Sequence, residues 1–284
     1  MRHELLESVT DDMTPVELCR SLGVEDHRLV EIESKWRLSA ATAKSLRGFL
    51  KQLEGVEHVK RSTFFDQYLD TSDLRLLRAD ASLRLRYRKS GGQVYLQYKG
   101  PGVRRGAVHY RSEYRSDRLD HLVLDQSQSE LLSFERASVP VLLETHSEPE
   151  MLAAMRRDLG DAVVRAIDRA TVLCQYQKDV FRVELAQASL APSIDRLCVF
   201  RLDGAGPFAM SPLWEYENQA AATGLSDKLA AVPAMNEFDA QLASDFDLTH
   251  EPLDKYRRCA GGMLSEPYPV FLRAVDGLRR EMVP

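Results

Sequence analysis

The chain predicts an α+β fold in which antiparallel strands, each with one apolar and one charged face, are joined and followed by helices. Three observations carry this reading. Four stretches between residues 29 and 115 alternate apolar and polar side chains with the two-residue period of a strand. Segments 40–53, 147–160 and 222–283 show the apolar spacing, caps or proline breaks of helices. The polar faces of several strands are charged, and on the most basic strand they are all of one sign.

Taken in order, residues 1–27 are polar and mixed, with a short helix expected over 16–22 that ends at Gly23. Over 29–38, Val30, Ile32 and Trp36 share one face and Glu31, Glu33, Lys35 and Arg37 the other. Ser39 caps a helix starting at Ala40, whose Leu46, Phe49, Leu50 and Leu53 form a core stripe, and Gly55 stops it. Residues 63–69 read as an aromatic strand, and Asp70-Thr-Ser-Asp as a turn into a short helix near 74–78. In 82–89, Leu83, Leu85 and Tyr87 alternate with Arg84, Arg86 and Arg88; Gly91-Gly92 is a hairpin turn. Then Val94, Leu96 and Tyr98 alternate with Tyr95, Gln97 and Lys99, and 108–115 aligns Arg111, Glu113 and Arg115. Residues 118–160 read as mainly helical. Strands return at about 162–177, 180–187, 196–202 and 211–218, and helices broken by Pro233, Pro252, Pro267 and Pro269 fill 222–283.

With 44% hydrophobic and 29% charged residues, composition excludes disordered, collagen-like and coiled-coil classes. The net charge of −5 gives no support to nucleic-acid binding, so no duplex partner is expected. No apolar run reaches the roughly 18–20 residues that span a bilayer. The four cysteines form no CxxC pair, and a cytoplasmic, reduced protein with no membrane partner is expected.

The charge is unevenly placed. Residues 84–118 hold ten lysines and arginines against two acids, which leaves −13 on the rest of the chain. Side chains at i and i+2 of a strand point the same way, roughly 6.5–7 Å apart. Three arginines on one such face repel one another unless anions lie among them. A single charged strand face is ordinarily solvated, but here the pattern recurs: basic on 84–88, at Lys99 and at Arg111 and Arg115, acidic at Glu31/Glu33 and Glu215/Glu217, mixed at Arg182/Glu184. Strands curled into a barrel with apolar residues outward, under helices, would line a polar bore with these charges. Arginine forks and lysine suit phosphate oxygens. Carboxylates suit a hard divalent cation such as Mg²⁺, which uses one or two of them plus substrate oxygens and water. Acid on one wall and base on the other therefore points to a metal–polyphosphate guest.

Glu31-Ile-Glu-Ser-Lys35 is an ExExK pattern. It is followed by Tyr68-Leu-Asp-Thr71, Ser82-Leu-Arg-Leu-Arg86, Leu96-Gln-Tyr-Lys-Gly-Pro101, Arg111-Ser-Glu-Tyr-Arg115 and Trp214-Glu-Tyr-Glu217. This ordered set resembles the CYTH domain, the family of triphosphate tunnel metalloenzymes. The resemblance implies an eight-stranded antiparallel β-tunnel, a barrel flanked by α-helices, here with extra C-terminal helices. It implies Mg²⁺ or Mn²⁺ as cofactor and a triphosphate-containing small molecule as partner. Family activities include inorganic, thiamine and RNA triphosphatase, class IV adenylate cyclase and polyphosphate polymerase, and fold does not choose among them. By position, Glu31, Glu33, Glu215 and Glu217 correspond to metal ligands. Glu113 and Glu184 are further candidates. Lys35, Arg84, Arg86, Lys99 and Arg115 correspond to phosphate-binding groups. Arg169 and Arg182 are candidate contacts from the second half, and Lys255 one from a helix at the tunnel mouth. Glu31, Glu33 and Lys35 are the expected catalytic set.

The expected division is an N-terminal extension over 1–27, a tunnel domain over 28–220 and a helical segment over 221–284 packed on it; an oligomer is compatible with all of this. Divalent-metal-dependent hydrolysis of inorganic tripolyphosphate is the leading functional expectation, since no base- or thiamine-reading pocket is evident. Two alternatives stay open. One is an adenylate cyclase or nucleoside or thiamine triphosphatase, with Tyr95, Tyr98 and Tyr114 as candidate stacking faces. The other is a non-catalytic polyphosphate- or nucleotide-binding module.

Overall fold

The computed structural model describes residues 13–88, 93–119, 138–200 and 212–264. Its elements follow the sequence closely over the first half. Helix α1 (Pro15–Leu22) carries a Thr14–Glu17 capping box and ends at Gly23, whose left-handed backbone (φ 65°) suits glycine. Strand β1 (Val30–Leu38) is followed by α2 (Ala40–Gln52), capped by the Ser39 hydroxyl on the Thr42 N–H. Then come β2 (Val56–Asp70), the single-turn helix α3 (Arg75–Arg78), β3 (Ser82–Arg88), β4 (Gln93–Lys99), the short β5 (Val103–Arg105) and β6 (Val108–Arg115). Helices α4 (Ser138–His146), α5 (Pro149–Leu159) and α6 (Asp161–Arg165) precede β7 (Arg169–Glu184), β8 (Ser189–Leu190), β9 (Ser193–Phe200) and β10 (Leu213–Gln219). Helices α7 (Leu225–Ala230) and α8 (Val232–Phe246), the two-residue β11 (Thr249–His250) and α9 (Lys255–Leu264) complete the described chain.

Two expectations change. Residues 161–165 are helical rather than the start of a strand, and the two strands expected at 162–177 and 180–187 are one sixteen-residue strand, β7. The polar run Gln177-Lys178-Asp179 suggests a break. It is instead threaded through the sheet, with Lys178 facing inward and Asp179 outward to Arg47 and Arg61. The glycine pair at 91–92, most of 118–137 and the tail beyond 264 lie outside the described residues.

Strand pairing runs β1–β10–β9–β7–β2–β3–β4–β6 and closes through β6–β1, every pair antiparallel. This is an eight-stranded barrel with no open edge in the ring. Alternation then sorts the side chains. Val30 and Ile32 of β1, Leu83 and Leu85 of β3, Val94, Leu96 and Tyr98 of β4, and Val108, Tyr110 and Tyr114 of β6 point outward. They are buried in one apolar layer under α1, α4, α5, α6, α7 and α8. A second outer layer packs Leu46 and Leu50 of α2 and Leu242 of α8 on Phe181, Ile194 and Tyr216, with Trp36 and Trp214 at its border. The barrel is thus apolar outside and polar inside, the reverse of a small barrel with a dry core.

One end of the bore is closed. Tyr256 of α9 stacks on Tyr68 (centroids 4.7 Å apart, planes 7° apart), and Cys259 and Ala260 pack with Tyr68, Cys174, Leu197 and Val199. The anchor of this plug is Asp70 at the end of β2. Its carboxylate accepts from the N–H groups of Thr71, Leu76 and Leu77 and from the Tyr256 hydroxyl, tying the turn, α3 and α9 together. Removing Asp70 strands three buried N–H donors, so Asp70→Ala is expected to lower stability by about 3 kcal/mol in urea unfolding. Tyr256→Phe, which removes the hydroxyl that donates to Asp70 and bonds the Thr171 hydroxyl but keeps the ring, should cost less, about 1–2 kcal/mol.

Candidate active site

Inside the barrel lies a cavity of about 420 Å³. Its walls are inward residues of seven of the eight ring strands, capped at the closed end by Asp254, Lys255 and Tyr256. Lys60 and Arg115, both exposed, stand at the open mouth. Glu31, Arg84 and Glu217, from three separate strands, line this one space.

The basic wall comes from β3, β4 and β6. Arg84 and Arg86 share the inner face of β3, and both approach Asp66 of β2: Arg86 by two parallel bonds of 2.7 Å, Arg84 at 3.0 Å. The Arg84 Nε–H and NH2 donate to Gln97 Oε1 (2.9 and 2.7 Å), and the Gln97 amide donates to Glu113. Lys99 contacts Glu31 directly and Glu113 at 3.5 Å. Arg111 is buried near Asp254 (3.5 Å) and donates to the carbonyls of Asp80 (3.0 Å) and Gly100 (3.3 Å). The loop after β4 owes its path to glycine. A Cβ on Gly102 would lie 2.9 Å from the Tyr110 carbonyl and 3.1 Å from Arg111 Cβ.

The acidic wall comes from β1, β9 and β10. Glu33 and Glu215 are fully buried behind the cavity lining, and Glu217 is part of it. Lys35 pairs with Glu33 at 2.5 Å. Asp195, Glu215 and Glu217 bring carboxylate oxygens within 4.8 Å of one another. Lys255 reaches in from α9 to this cluster, at 3.0 Å from Asp195 and 2.5 Å from Glu217 and touching Glu215, while Lys178 pairs with Glu217 at 2.7 Å. Burial alone would raise every one of these acids. For Glu33 the nearby Lys35 and Lys99, and for Glu217 the nearby Lys178 and Lys255, outweigh it and hold both below the usual carboxylate range. For Asp195 burial wins and its carboxyl is raised; Glu31 is raised too, by burial and then by Glu113 and Glu33.

This donor set suits a hard divalent cation. Both oxygens of Glu33, both of Asp195 and Oε1 of Glu215 are buried and accept no hydrogen bond, although lysine ammonium groups lie within ion-pair range. Hard carboxylate oxygens without hydrogen bonds, converging in one place, are what such a cation uses.

Of the expected site residues, Glu31, Lys35, Arg84, Arg86, Lys99, Glu113, Arg115, Glu217 and Lys255 line the cavity, and Glu33 and Glu215 lie just behind it. Three are placed elsewhere. Arg169 pairs with its neighbour Asp168 (2.7 Å) at the far end of β7. Arg182 and Glu184 have inward parity, but β7 and β2 run on past the ring there. Both are exposed, 3.8 Å apart, and Glu184 accepts from Ser189. The second-half acid beside the Glu215–Glu217 pair is Asp195, not Glu184. Asp66, Arg111, Lys178 and Asp195, with Lys60 at the mouth and Asp254 at the closed end, are charged groups of the bore that the expected set omits. Tyr98 and Tyr114 turn away from the cavity into the outer core, and only Tyr95 of that trio faces the cavity.

Residues 29–168 match the model of the CYTH domain family. No curated protein matches the chain in sequence at significance. Among solved structures, the fold is shared with HpAC1 from Hippeastrum, described as an adenylyl cyclase candidate with a dominant triphosphatase activity. The TM-score is 0.56 at 14% identity over 84% of this chain and 98% of that one. An adenylate cyclase candidate from Bacillus halodurans aligns at 16% identity over 80% and 96% of the two chains with a TM-score of 0.47. The PH1819 protein of Pyrococcus horikoshii aligns at 16% identity over 84% and 99% with a TM-score of 0.44. The match over residues 29–168, together with the eight-stranded tunnel that these residues close with β7, β9 and β10, identifies a CYTH domain, the domain of the triphosphate tunnel metalloenzymes, in this chain.

Proposed function

We propose that the protein hydrolyses inorganic tripolyphosphate with a divalent cation, Mg²⁺ or Mn²⁺. The observation that carries this is the meeting, in one blind bore, of converging buried carboxylates, paired with lysines, with a wall of arginines and lysines. A polyanion alone would want only the basic wall, and a cation alone only the acidic one. A metal–triphosphate complex uses both.

The choice of tripolyphosphate over a nucleotide rests on the aromatic groups. A base needs a free ring to stack on. Here the ring of Tyr95 is covered by Arg115 (5.3 Å), those of Phe64 and Tyr176 by Arg86 (5.0 and 4.9 Å), and Tyr68 lies against Tyr256. HpAC1, whose dominant activity is described as a triphosphatase, is consistent with this choice.

In the proposed reaction, Arg84, Arg86 and Lys99 bind and orient the phosphate chain and take up charge that spreads over its oxygens, while Arg115 draws it in at the mouth. Glu33, Glu215, Glu217 and Asp195 would hold the cation, with Glu31 and Glu113 next to Lys99. When bound, Mg²⁺ or Mn²⁺ supplies charge neutralisation and a more acidic water. Lys35 keeps Glu33 ionised and ready to ligate. The closed end excludes bulk water from behind the chain, so positioning and electrostatics supply most of the rate.

Phosphate release is expected from tripolyphosphate with Mg²⁺ or Mn²⁺, abolished by EDTA, and at least about tenfold slower from ATP or thiamine triphosphate, a gap of about 1.4 kcal/mol in activation free energy. Cyclic AMP formed from ATP without phosphate release would replace this reading with a cyclase, and tight binding without turnover with a binding module. Glu33→Gln should lower kcat by about 10²-fold or more while shifting the melting temperature by only a few degrees. A folded Glu33→Gln protein with full metal-dependent activity would remove Glu33 from the site. Because Glu31 is raised by burial and by its acidic neighbours, it holds a proton at higher pH than an ordinary glutamate. Protonating Glu31 removes a negative charge beside Glu33 and so weakens the field that would hold the cation; Mn²⁺ affinity by calorimetry should therefore fall as the pH drops from about 8 to about 6, and Glu31→Gln should flatten the fall.

A further inference from the structure

The charged groups of the bore fall into those that face a guest and those that face each other, and Asp66 belongs to the second kind. It sits on β2 between Phe64 and Tyr68, is fully buried, and is directly opposite Arg86 in the β2–β3 register, with Arg84 one step along the same face. Its Oδ1 accepts from the Arg86 Nε–H and its Oδ2 from the Arg86 NH2, both at 2.7 Å, so the two planes are held edge to edge. Its Oδ2 lies 3.0 Å from Arg84 NH1, and the Tyr68 hydroxyl accepts from the same nitrogen at 3.3 Å. The Arg86 guanidinium also lies against the stacked rings of Phe64 and Tyr176, 5.0 and 4.9 Å from their centroids. Both guanidinium groups are therefore fixed on one side by a carboxylate, while each lines the cavity.

An anion site gains nothing in ground-state attraction from a buried carboxylate, which repels phosphate. It pairs the charge of two buried guanidinium groups, and it also sets their geometry. We propose that Asp66 is a positioning residue: it fixes the plane of Arg86 and, together with Gln97, that of Arg84, so that they meet the phosphate oxygens in the orientation of the transition state. The inference rests on the triphosphatase reading for its kinetic consequence, but not for the fixing of the arginines themselves.

This gives Asp66→Asn an unusual signature. The bore gains one net positive charge, so the anion binds as well or better, while the Arg86 fork loses its bidentate hold and Arg84 loses one of its anchors. The expected result is a kcat reduced about tenfold to a hundredfold with KM unchanged or lowered. Arg86→Ala, which removes a contact, should instead raise KM. Arg86→Lys keeps the charge and cannot form the fork, so it should lower kcat at nearly unchanged KM and serves as the second variant should Asp66→Asn fail to fold. In parallel, ¹⁵N NMR of the arginine Nε–H groups should show a slowly exchanging Arg86 signal in the wild type and fast exchange of it in Asp66→Asn, while the Arg84 Nε–H, bonded to Gln97, stays slow in both. A kcat within twofold of wild type, or a KM rise matching that of Arg86→Ala, would overturn the proposal, as would an Arg86 signal unchanged by Asp66→Asn. If the wild type turns over no triphosphate, the functional reading fails. The NMR comparison then still decides whether Asp66 holds Arg86.

Discussion

Everything in this structure depends on placing many opposed charges in one closed, water-poor space. An ion pair taken out of water gives back little net stability, and leaving one partner unpaired costs several kcal/mol. The chain therefore cannot tolerate a loose arrangement. Arg84 and Arg86 share Asp66, Lys99 lies between Glu31 and Glu113, and Lys178 and Lys255 answer Asp195, Glu215 and Glu217. The pairs are made by side chains from different strands, so only the closed ring brings them together. Barrel closure and charge pairing are in this sense one constraint.

The helices serve that constraint from outside. A barrel turned apolar side outward must be covered, and α1, α2, α4, α5, α6, α7 and α8 cover it. Helix α9 has another task. It closes one end with Tyr256 and carries Lys255 into the acidic cluster, so the same element shapes the cavity and contributes to its charge. Asp70 joins it to the turn that begins the basic half of the ring.

Much of this was legible where alternation was clean. In β1 and β3 every second residue is charged, so the inner face shows itself at once. Other charges were hidden by their neighbours. Asp66 is flanked on its own face by Phe64 and Tyr68, and Asp195 by Ser193 and Leu197, so neither stands in a charged row. Lys178 and Asp179 are adjacent and point to opposite sides, which made one long strand look like two short ones. Arg182 and Glu184 show the converse: parity is read from sequence, but the length of strand that lies within the ring is not. That length is set by the neighbours, and β7 outruns β9 in company with β2 and the two-residue β8. Tyr98 and Tyr114 fall on the outer faces of their strands, where packing under helices, rather than ligand stacking, decides their place.

The central claim is that the two walls share one guest, and thermodynamic linkage tests it most directly. Mn²⁺ affinity would be measured by calorimetry with and without a methylene-bridged triphosphate analogue that cannot be hydrolysed, and the analogue's affinity with and without Mn²⁺. A shared complex requires each to tighten the other by the same factor, about tenfold or more. Equal Mn²⁺ affinity in the presence and absence of the analogue, with both binding, would mean that the acidic and basic walls act independently and would contradict the account.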